Sequence, residues 1–103
     1  MVSRPTPTPT PTAPIANAGP NQVVSRGSLV SLDGSRSFDP DGDRIISYSW
    51  VQTSGTPVTL TGANTATPTF TAPTGATSLV FSLTVTDSTG AVSSPSTVTI
   101  IVS

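Results

Sequence analysis

Apolar residues recur at every second position along most of the chain from Ile15 to Ser103, and this pattern constrains the fold more than any other feature. In "SLVFSLTVTD", residues 78–87, leucine, phenylalanine and valine alternate with serine and threonine. A period of two places successive side chains on opposite faces of a β-strand, so one face is expected to be buried and the other hydrated. No stretch shows the 3.6-residue period of an amphipathic helix. The pattern therefore predicts an all-β protein.

Turn signals separate the alternating runs at short intervals, through glycine, proline, asparagine and aspartate. About seven short strands over about 90 residues predict a two-sheet antiparallel β-sandwich. In "RIISYSW" the period places Ile46, Tyr48 and Trp50 on the buried face. The expected core residues are Leu32, Tyr48, Trp50, Phe81, Leu83 and Val85.

The first 13 residues have a different composition from the rest. "RPTPTPTPTAP", residues 4–14, carries proline at every second position, which removes half of the backbone donors and fixes φ near the polyproline value. We expect residues 1–13 to form an extended, semi-rigid linker arm at about 3.1 Å per residue, and residues 14–103 to form the globular domain. The threonine N–H groups all point to one side of such an arm and could pair with a sheet edge. The candidate O-glycosylation sites are Thr6, Thr8, Thr10 and Thr12.

The low charge of the chain excludes several classes of function. Charged residues make up 9% of the chain, the net charge is -1, and lysine, histidine, cysteine and glutamate are absent. Such a chain offers no basic patch to nucleic acid or anionic lipid, and no apolar run approaches the roughly 18 residues of a membrane-spanning helix. A serine nucleophile would lack a conventional base, so no catalytic residue is assigned. A surface rich in serine and threonine but poor in lysine and glutamate is typical of exported proteins.

Three of the five acidic residues lie at alternating positions in "FDPDGDR": Asp39, Asp41 and Asp43. Ca²⁺ binds six to eight oxygen atoms, and a curled turn would bring these carboxylates and nearby carbonyls together. Asp87, at the end of "LTVTD", could join them if the two strands pair. The spacing is not that of an EF-hand, because glycine follows at the fourth position rather than the sixth. These four aspartates are the candidate metal ligands, with Ca²⁺ as the candidate cofactor.

The same stretch has a second interpretation that needs no cation. "DPDG" is a favourable type I turn, with Pro40 at its second position and Gly42 in the left-handed region. Asp39 would then accept backbone N–H groups of the turn. Asp33, which precedes Gly34, is expected to form a turn rather than bind a metal. From the residues alone, a calcium site and a simple turn stay open.

Four motifs occur in an order that resembles a PKD (polycystic kidney disease) domain: "ANAGP", "LDGSRSFDPDGD", "ISYSW" and "LTVTDSTG". The resemblance covers about Pro14 to Ser103. It departs after Trp50, where "VQTSGTPVTL" replaces the FGDG-like continuation of many members. The resemblance implies an immunoglobulin-like β-sandwich, an extracellular setting and no catalysis. It also implies that calcium-binding members use the residues matching Asp39, Asp41 and Asp87, whereas Asp43 is additional.

The resemblance favours a non-catalytic spacer or interaction module of a larger secreted or cell-surface protein, stiffened by Ca²⁺ if the aspartates bind it. Its partners would be neighbouring domains or other proteins, without nucleic acid or membrane insertion. One alternative is a structural subunit that assembles into fibres or surface lattices through the arm or an edge strand. Another is a carbohydrate-binding accessory that contacts polysaccharide. The chain has only one Trp, one Tyr and three Phe for the aromatic platform that sugar binding favours.

Overall fold

The computed structural model describes residues 13–103, which form two packed β-sheets and contain no helix. The all-β sandwich expected from the period-two pattern is thereby confirmed. The expectations for residues 1–12, including the four candidate glycosylation threonines, lie outside the described residues. The strands are β1 (Gln22–Val24), β2 (Leu29–Ser31), β3 (Ile45–Ser54), β4 (Thr69–Thr71), β5 (Thr77–Asp87) and β6 (Ser96–Val102).

The larger sheet has the strand order β1-β6-β5-β3, and the smaller sheet pairs β2 with β4. β5 is antiparallel to both of its neighbours, while β1 runs parallel to β6. About seven strands were expected and six form. The missing strand is the segment 57–62, which makes one bridge between Thr61 and Thr69. Val58 and Leu60 of this segment still pack against the core.

Alternate residues of the long strands build the core between the sheets. Trp50 is 4% exposed, and its indole Nε1 donates to the backbone carbonyl of Thr65 at 2.9 Å. Phe70 of the small sheet meets Phe81 of the large sheet with ring centroids 5.0 Å apart. Tyr48 is half-buried and packs on the rim of this core. The fully buried side chains include Leu32, Leu79, Phe81, Leu83, Val85, Val98 and Ile100.

The expectation that Ile46 faces the core is wrong. Its side chain is 60% exposed. The pairing of β3 with β5 shifts register between Ile45 and Ser47, so one residue is inserted into β3. Such a β-bulge reverses the face on which the preceding residues point. Ile45 consequently takes the inward place and packs against the core.

The described chain enters and leaves the sandwich at opposite ends. Near the start, Ile15 pairs with Phe38, beside the loop that joins β2 to β3. At the other end, the N–H of Ser103 donates to the carbonyl of Val24 at 3.0 Å. β5 connects these two ends over 11 residues, about 35 Å of strand. None of the described residues forms a helix with the length and apolarity needed to span a membrane.

Candidate cation site

Two loops meet at the end of the sandwich where the described chain enters. One loop, residues 32–44, joins β2 to β3, and the other, residues 88–95, follows β5. The pairing of Ile45 with Asp87 brings the loops together, and the N–H of Ser88 donates to the carbonyl of Arg44 at 2.8 Å. Antiparallel pairing thus places Asp39 close to Asp87, although they are far apart in the sequence.

The segment from Asp39 to Gly42 is a hydrogen-bonded turn. The N–H of Gly42 donates to the carbonyl of Asp39 at 2.9 Å, and Gly42 has φ 80°. The side chain of Asp39 also takes part, because its Oδ1 accepts the N–H of Asp41 at 2.7 Å. These are the contacts that the turn interpretation predicts. They occupy only one of the two carboxylate oxygens of Asp39, so the turn does not account for the whole side chain.

Asp87 organises the opposite loop in a similar way. Its Oδ1 accepts the N–H of Thr89 at 2.9 Å, the hydroxyl of Thr89 at 2.6 Å and the N–H of Ala91 at 3.0 Å. The N–H of Asp87 itself donates to the carbonyl of Ala91 at 3.0 Å. Sequence analysis did not single out Thr89 and Ala91. The "DSTG" signal, with Asp at the start and Gly at the end of a turn, would have indicated the role of Thr89.

The second carboxylate oxygen of each residue is the most informative feature of the site. Asp39 is 6% exposed and Asp87 is fully buried, and within residues 13–103 neither Oδ2 atom has a hydrogen-bond partner. A buried carboxylate oxygen without a partner loses hydration and gains nothing in return. The two carboxyl groups lie close enough to interact, so among residues 13–103 the site lacks a positively charged or donor group that would satisfy both Oδ2 atoms.

The electrostatics of the two carboxyls differ. Burial raises the pKa of Asp39 above its ordinary value, and the neighbouring carboxyl of Asp87 raises it further. The pKa of Asp87 is lowered, chiefly because the Thr89 hydroxyl donates to its carboxylate. Asp87 therefore keeps the negative charge more readily, and Asp39 takes up the proton first when no cation is present.

Asp41 and Asp43 extend the acidic site towards solvent. One ligand oxygen from each of Asp39, Asp41 and Asp43 lies within 4.8 Å of the others. Oxygen atoms around one Ca²⁺ each lie at about 2.3–2.6 Å from the ion, so their mutual distances reach about 5 Å. The cluster of Asp39, Asp41 and Asp43 is thus compatible with one hard cation that takes oxygen ligands, whereas Asp87 is not a member of this cluster and lies beside Asp39.

Asp33 does not belong to this cluster. Its Oδ1 accepts the N–H and the hydroxyl of Ser35, and these bonds lower the pKa of the Asp33 carboxyl. This arrangement is a local turn around Gly34, as the sequence indicated. Asp33 is therefore an aspartate in a similar local turn that lies outside the candidate cation site.

Exposed aromatic rings are scarce on the described surface. Trp50, Phe70 and Phe81 are buried, Tyr48 is half-buried, and Phe38 is 52% exposed beside Ile15. A flat row of aromatic rings, the usual platform for polysaccharide, does not occur among residues 13–103. The geometry thus gives less support to sugar binding than to cation binding.

Comparison with known families supplies a match over most of the chain. The family model described as K319L-like, PKD domain matches residues 18–102. The solution structure of the PKD domain from KIAA 1837 protein is 36% identical, with a TM-score of 0.72, and the match covers 92% of this chain and 91% of that chain. A search of curated proteins gave no match.

Other similar structures are parts of larger proteins. A nucleoside hydrolase-related hypothetical protein from Saccharophagus degradans, associated with carbohydrate metabolism, is 27% identical with a TM-score of 0.72; the match covers 90% of this chain but only 26% of that one. The chain thus spans about a quarter of that protein. Fibronectin(III)-like modules of Clostridium thermocellum CbhA are 14% identical, with a TM-score of 0.55, and share the fold alone.

Proposed function

Because this chain belongs to the PKD domain family, we propose that it is a non-catalytic spacer module of a larger extracellular protein and that its acidic end binds Ca²⁺. The family is typical of multidomain proteins, which supports neighbouring domains as partners. The observation that carries the spacer role is the path of the described chain, which enters at one end of β5 and leaves at the other. A module with this path adds its own length to the distance between its neighbours.

The two buried, unpartnered Oδ2 atoms carry the proposal of a cation. Asp39 and Asp87 would supply the buried ligands, and Asp41 and Asp43 would close the site from the solvent side. A divalent ion there would neutralise the acidic cluster and join the loop before β3 to the loop after β5. The module would then resist bending at the end that adjoins the arm.

Thermal melts of the full chain in EDTA, in millimolar Ca²⁺ and in millimolar Mg²⁺ test the cation. Saturation at about 100 times the dissociation constant adds about 2.7 kcal/mol to the free energy of unfolding. For a domain of this size we expect the melting temperature to rise by more than about 10 °C. Asp39→Asn should remove the shift, and the matched control Asp33→Asn should retain it. Coincident melts in EDTA and Ca²⁺ would contradict the cation but not the spacer role.

Distance measurements test the spacer role independently. Because the chain has no cysteine, single cysteines at Ala13 and Ser103 can carry a pair of spin labels. We expect one narrow distribution centred near the length of β5, about 35 Å. A short or very broad distribution would contradict a rigid module with opposite ends. If calcium stiffens the loops beside Ala13, it should narrow the distribution of distances between the two labels.

Carbohydrate binding remains a second function to test, although the scarcity of exposed aromatic rings makes it less well supported. Depletion of the chain from solution by insoluble chitin or cellulose would favour it. Phe38 is the exposed aromatic residue whose replacement by Ala should then reduce binding.

A further inference from the structure

One half of β3 presents an open sheet edge. Val85 donates its N–H to the hydroxyl of Ser93 and accepts the N–H of Ser93, both at 2.9 Å or less, so its backbone groups point away from β3. Tyr48 lies opposite Val85 in the ladder. Antiparallel residues that are not hydrogen-bonded to each other turn their backbone groups to the outside. The N–H and C=O of Tyr48 therefore point away from β5, to the outer edge of the sheet.

The neighbouring residues confirm this orientation. Trp50, two positions along, points its N–H to the same outer edge, where it donates to the carbonyl of Ala63 at 3.0 Å. Farther along, the side chain of Gln52 accepts the N–H of Val58 and donates to the carbonyl of Thr56. The segment 56–65 thus covers the second half of β3.

The first half of β3, from Ile45 to Ser49, has no such cover among residues 13–103. No strand lies beyond β3 in the larger sheet, and no hydrogen bond from the described residues reaches the outer backbone groups of Tyr48. Ser47 and Ser49 are exposed, and Ile46 is 60% exposed. Natural sheets usually protect such an edge with charge, proline or a covering segment, because it can pair with another chain. Neither charge nor proline is present between Ile45 and Ser49.

The arm of this chain carries the donor pattern that such an edge accepts. From Pro5 to Thr12, proline and threonine alternate strictly. In an extended strand, alternate residues direct N–H and C=O to the same side, so every threonine faces one edge and every proline the other. Residues that precede proline favour extended backbone, which suits pairing with a strand. The proline side lacks N–H donors and would end the sheet rather than extend it.

We propose that the arm, residues Pro5–Thr12, of one copy of this chain adds as a short strand to the open edge of β3 in a second copy. A threonine of the arm pairs with Tyr48, whose outer N–H and C=O have no partner among residues 13–103, and the flanking prolines lie at positions that need no donor. The proposal assigns the arm to a second copy, because residues that precede proline favour extended backbone and eight extended residues would reach about 25 Å beyond their own domain. The proposal does not depend on the cation or on the spacer role.

Sedimentation velocity and amide hydrogen exchange of the full chain test the proposal together. We expect the mean mass to rise with concentration into the millimolar range. The Tyr48 amide should exchange roughly tenfold more slowly, or more, in the concentrated than in the dilute sample, because the arm accepts its N–H. The amide of Trp50, which is already bonded to Ala63, serves as the internal reference.

Two double variants of the arm separate donor pairing from other contacts. Thr8→Pro with Thr10→Pro keeps the length of the arm but removes two N–H donors, so this variant should stay monomeric. Thr8→Ala with Thr10→Ala keeps both N–H groups and should associate like the parent chain. Association of the proline variant, or a monomeric parent chain at every concentration, would overturn the proposal. A Tyr48 amide protected equally in dilute, monomeric protein would overturn it too, since the edge would then be covered within one copy.

Discussion

The inward face of β5 carries two regions that are buried alike but stabilised differently. Leu79, Phe81, Leu83, Val85 and Asp87 occupy successive inward positions, and each is at most 1% exposed. Burial of the four apolar side chains contributes about 1.5–3 kcal/mol each. Burial of the fifth removes a carboxylate from water and costs free energy unless its oxygens are bonded. The apolar part of β5 therefore stabilises the fold, whereas the buried carboxylate at its end depends on hydrogen bonds from neighbouring residues.

The comparison shows why Asp87 is tolerated at this position. Three donors from Thr89 and Ala91 satisfy its Oδ1, which lowers its pKa, while its Oδ2 has no partner among residues 13–103. An asparagine or serine would suffice to hold the turn. The second oxygen, which lacks a partner like one oxygen of Asp39, is the basis for the proposed ligand role of Asp87. The next four predictions test this division, from the largest expected effect to the smallest.

Truncation in the apolar region should have the largest effect. Phe81→Ala leaves a cavity against Phe70 and should lower the free energy of unfolding by about 3–5 kcal/mol. Urea unfolding followed by Trp50 fluorescence measures the change. Val51→Ala, at a position 57% exposed on the other face of the sheet, is the control and should have a far smaller effect. A loss below about 1 kcal/mol for Phe81→Ala would mean that this region is not the main source of stability.

Asp87→Asn should separate the two oxygens of the carboxylate. Its amide oxygen retains the acceptor for Thr89 and Ala91, so the turn should persist in EDTA and stability should fall only by the contribution of the ionised carboxylate. It should nevertheless lose the Ca²⁺-dependent gain of about 2.7 kcal/mol, because a charged ligand is missing. Thermal melts with and without Ca²⁺ measure both effects. A full calcium shift in Asp87→Asn would exclude Asp87 as a ligand.

The pH dependence in EDTA should distinguish the two aspartates. The pKa of Asp39 is raised above 3.8 in the folded chain, so its stabilising contribution is complete below 3.8 and is lost as pH rises through the folded-state pKa. The pKa of Asp87 is lowered, so its contribution is present above 3.8 and is lost as pH falls through the folded-state pKa. The urea concentration at the midpoint of unfolding, measured between pH 2 and 7, should therefore decline above pH 3.8 in the parent chain. Asp39→Asn should abolish that decline, while a decline of unchanged size would refute the raised pKa.

Changes on the hydrated face should have the smallest effect. Val51→Thr replaces one β-branched side chain by another at an exposed position, so the free energy of unfolding should change by no more than about 0.5 kcal/mol. Urea unfolding checks this value. A loss above about 1 kcal/mol would indicate that another part of the chain covers this face.

The sequence predicted the fold class and much of the turn chemistry correctly. Alternation in residues 78–87 depends only on local periodicity, and it gave both the strand β5 and its buried face. The turn at Gly42 also follows from local backbone preference. Predictions from local patterns were wrong where the pairing between strands determines the structure. The inserted residue in β3 exposes Ile46, and segment 57–62 forms one bridge although its residues alternate.

The amino-acid sequence by itself determined that this chain forms strands, where it turns, and which acidic residues are available to a cation. Each of these properties arises from neighbours within a few positions, through side-chain alternation and backbone dihedral preference. Only the tertiary structure decided that Asp39 meets Asp87, that one oxygen of each has no partner, and that half of β3 remains open at the edge. These features depend on the register between strands distant in sequence, which is set by packing of the whole core rather than by any local segment.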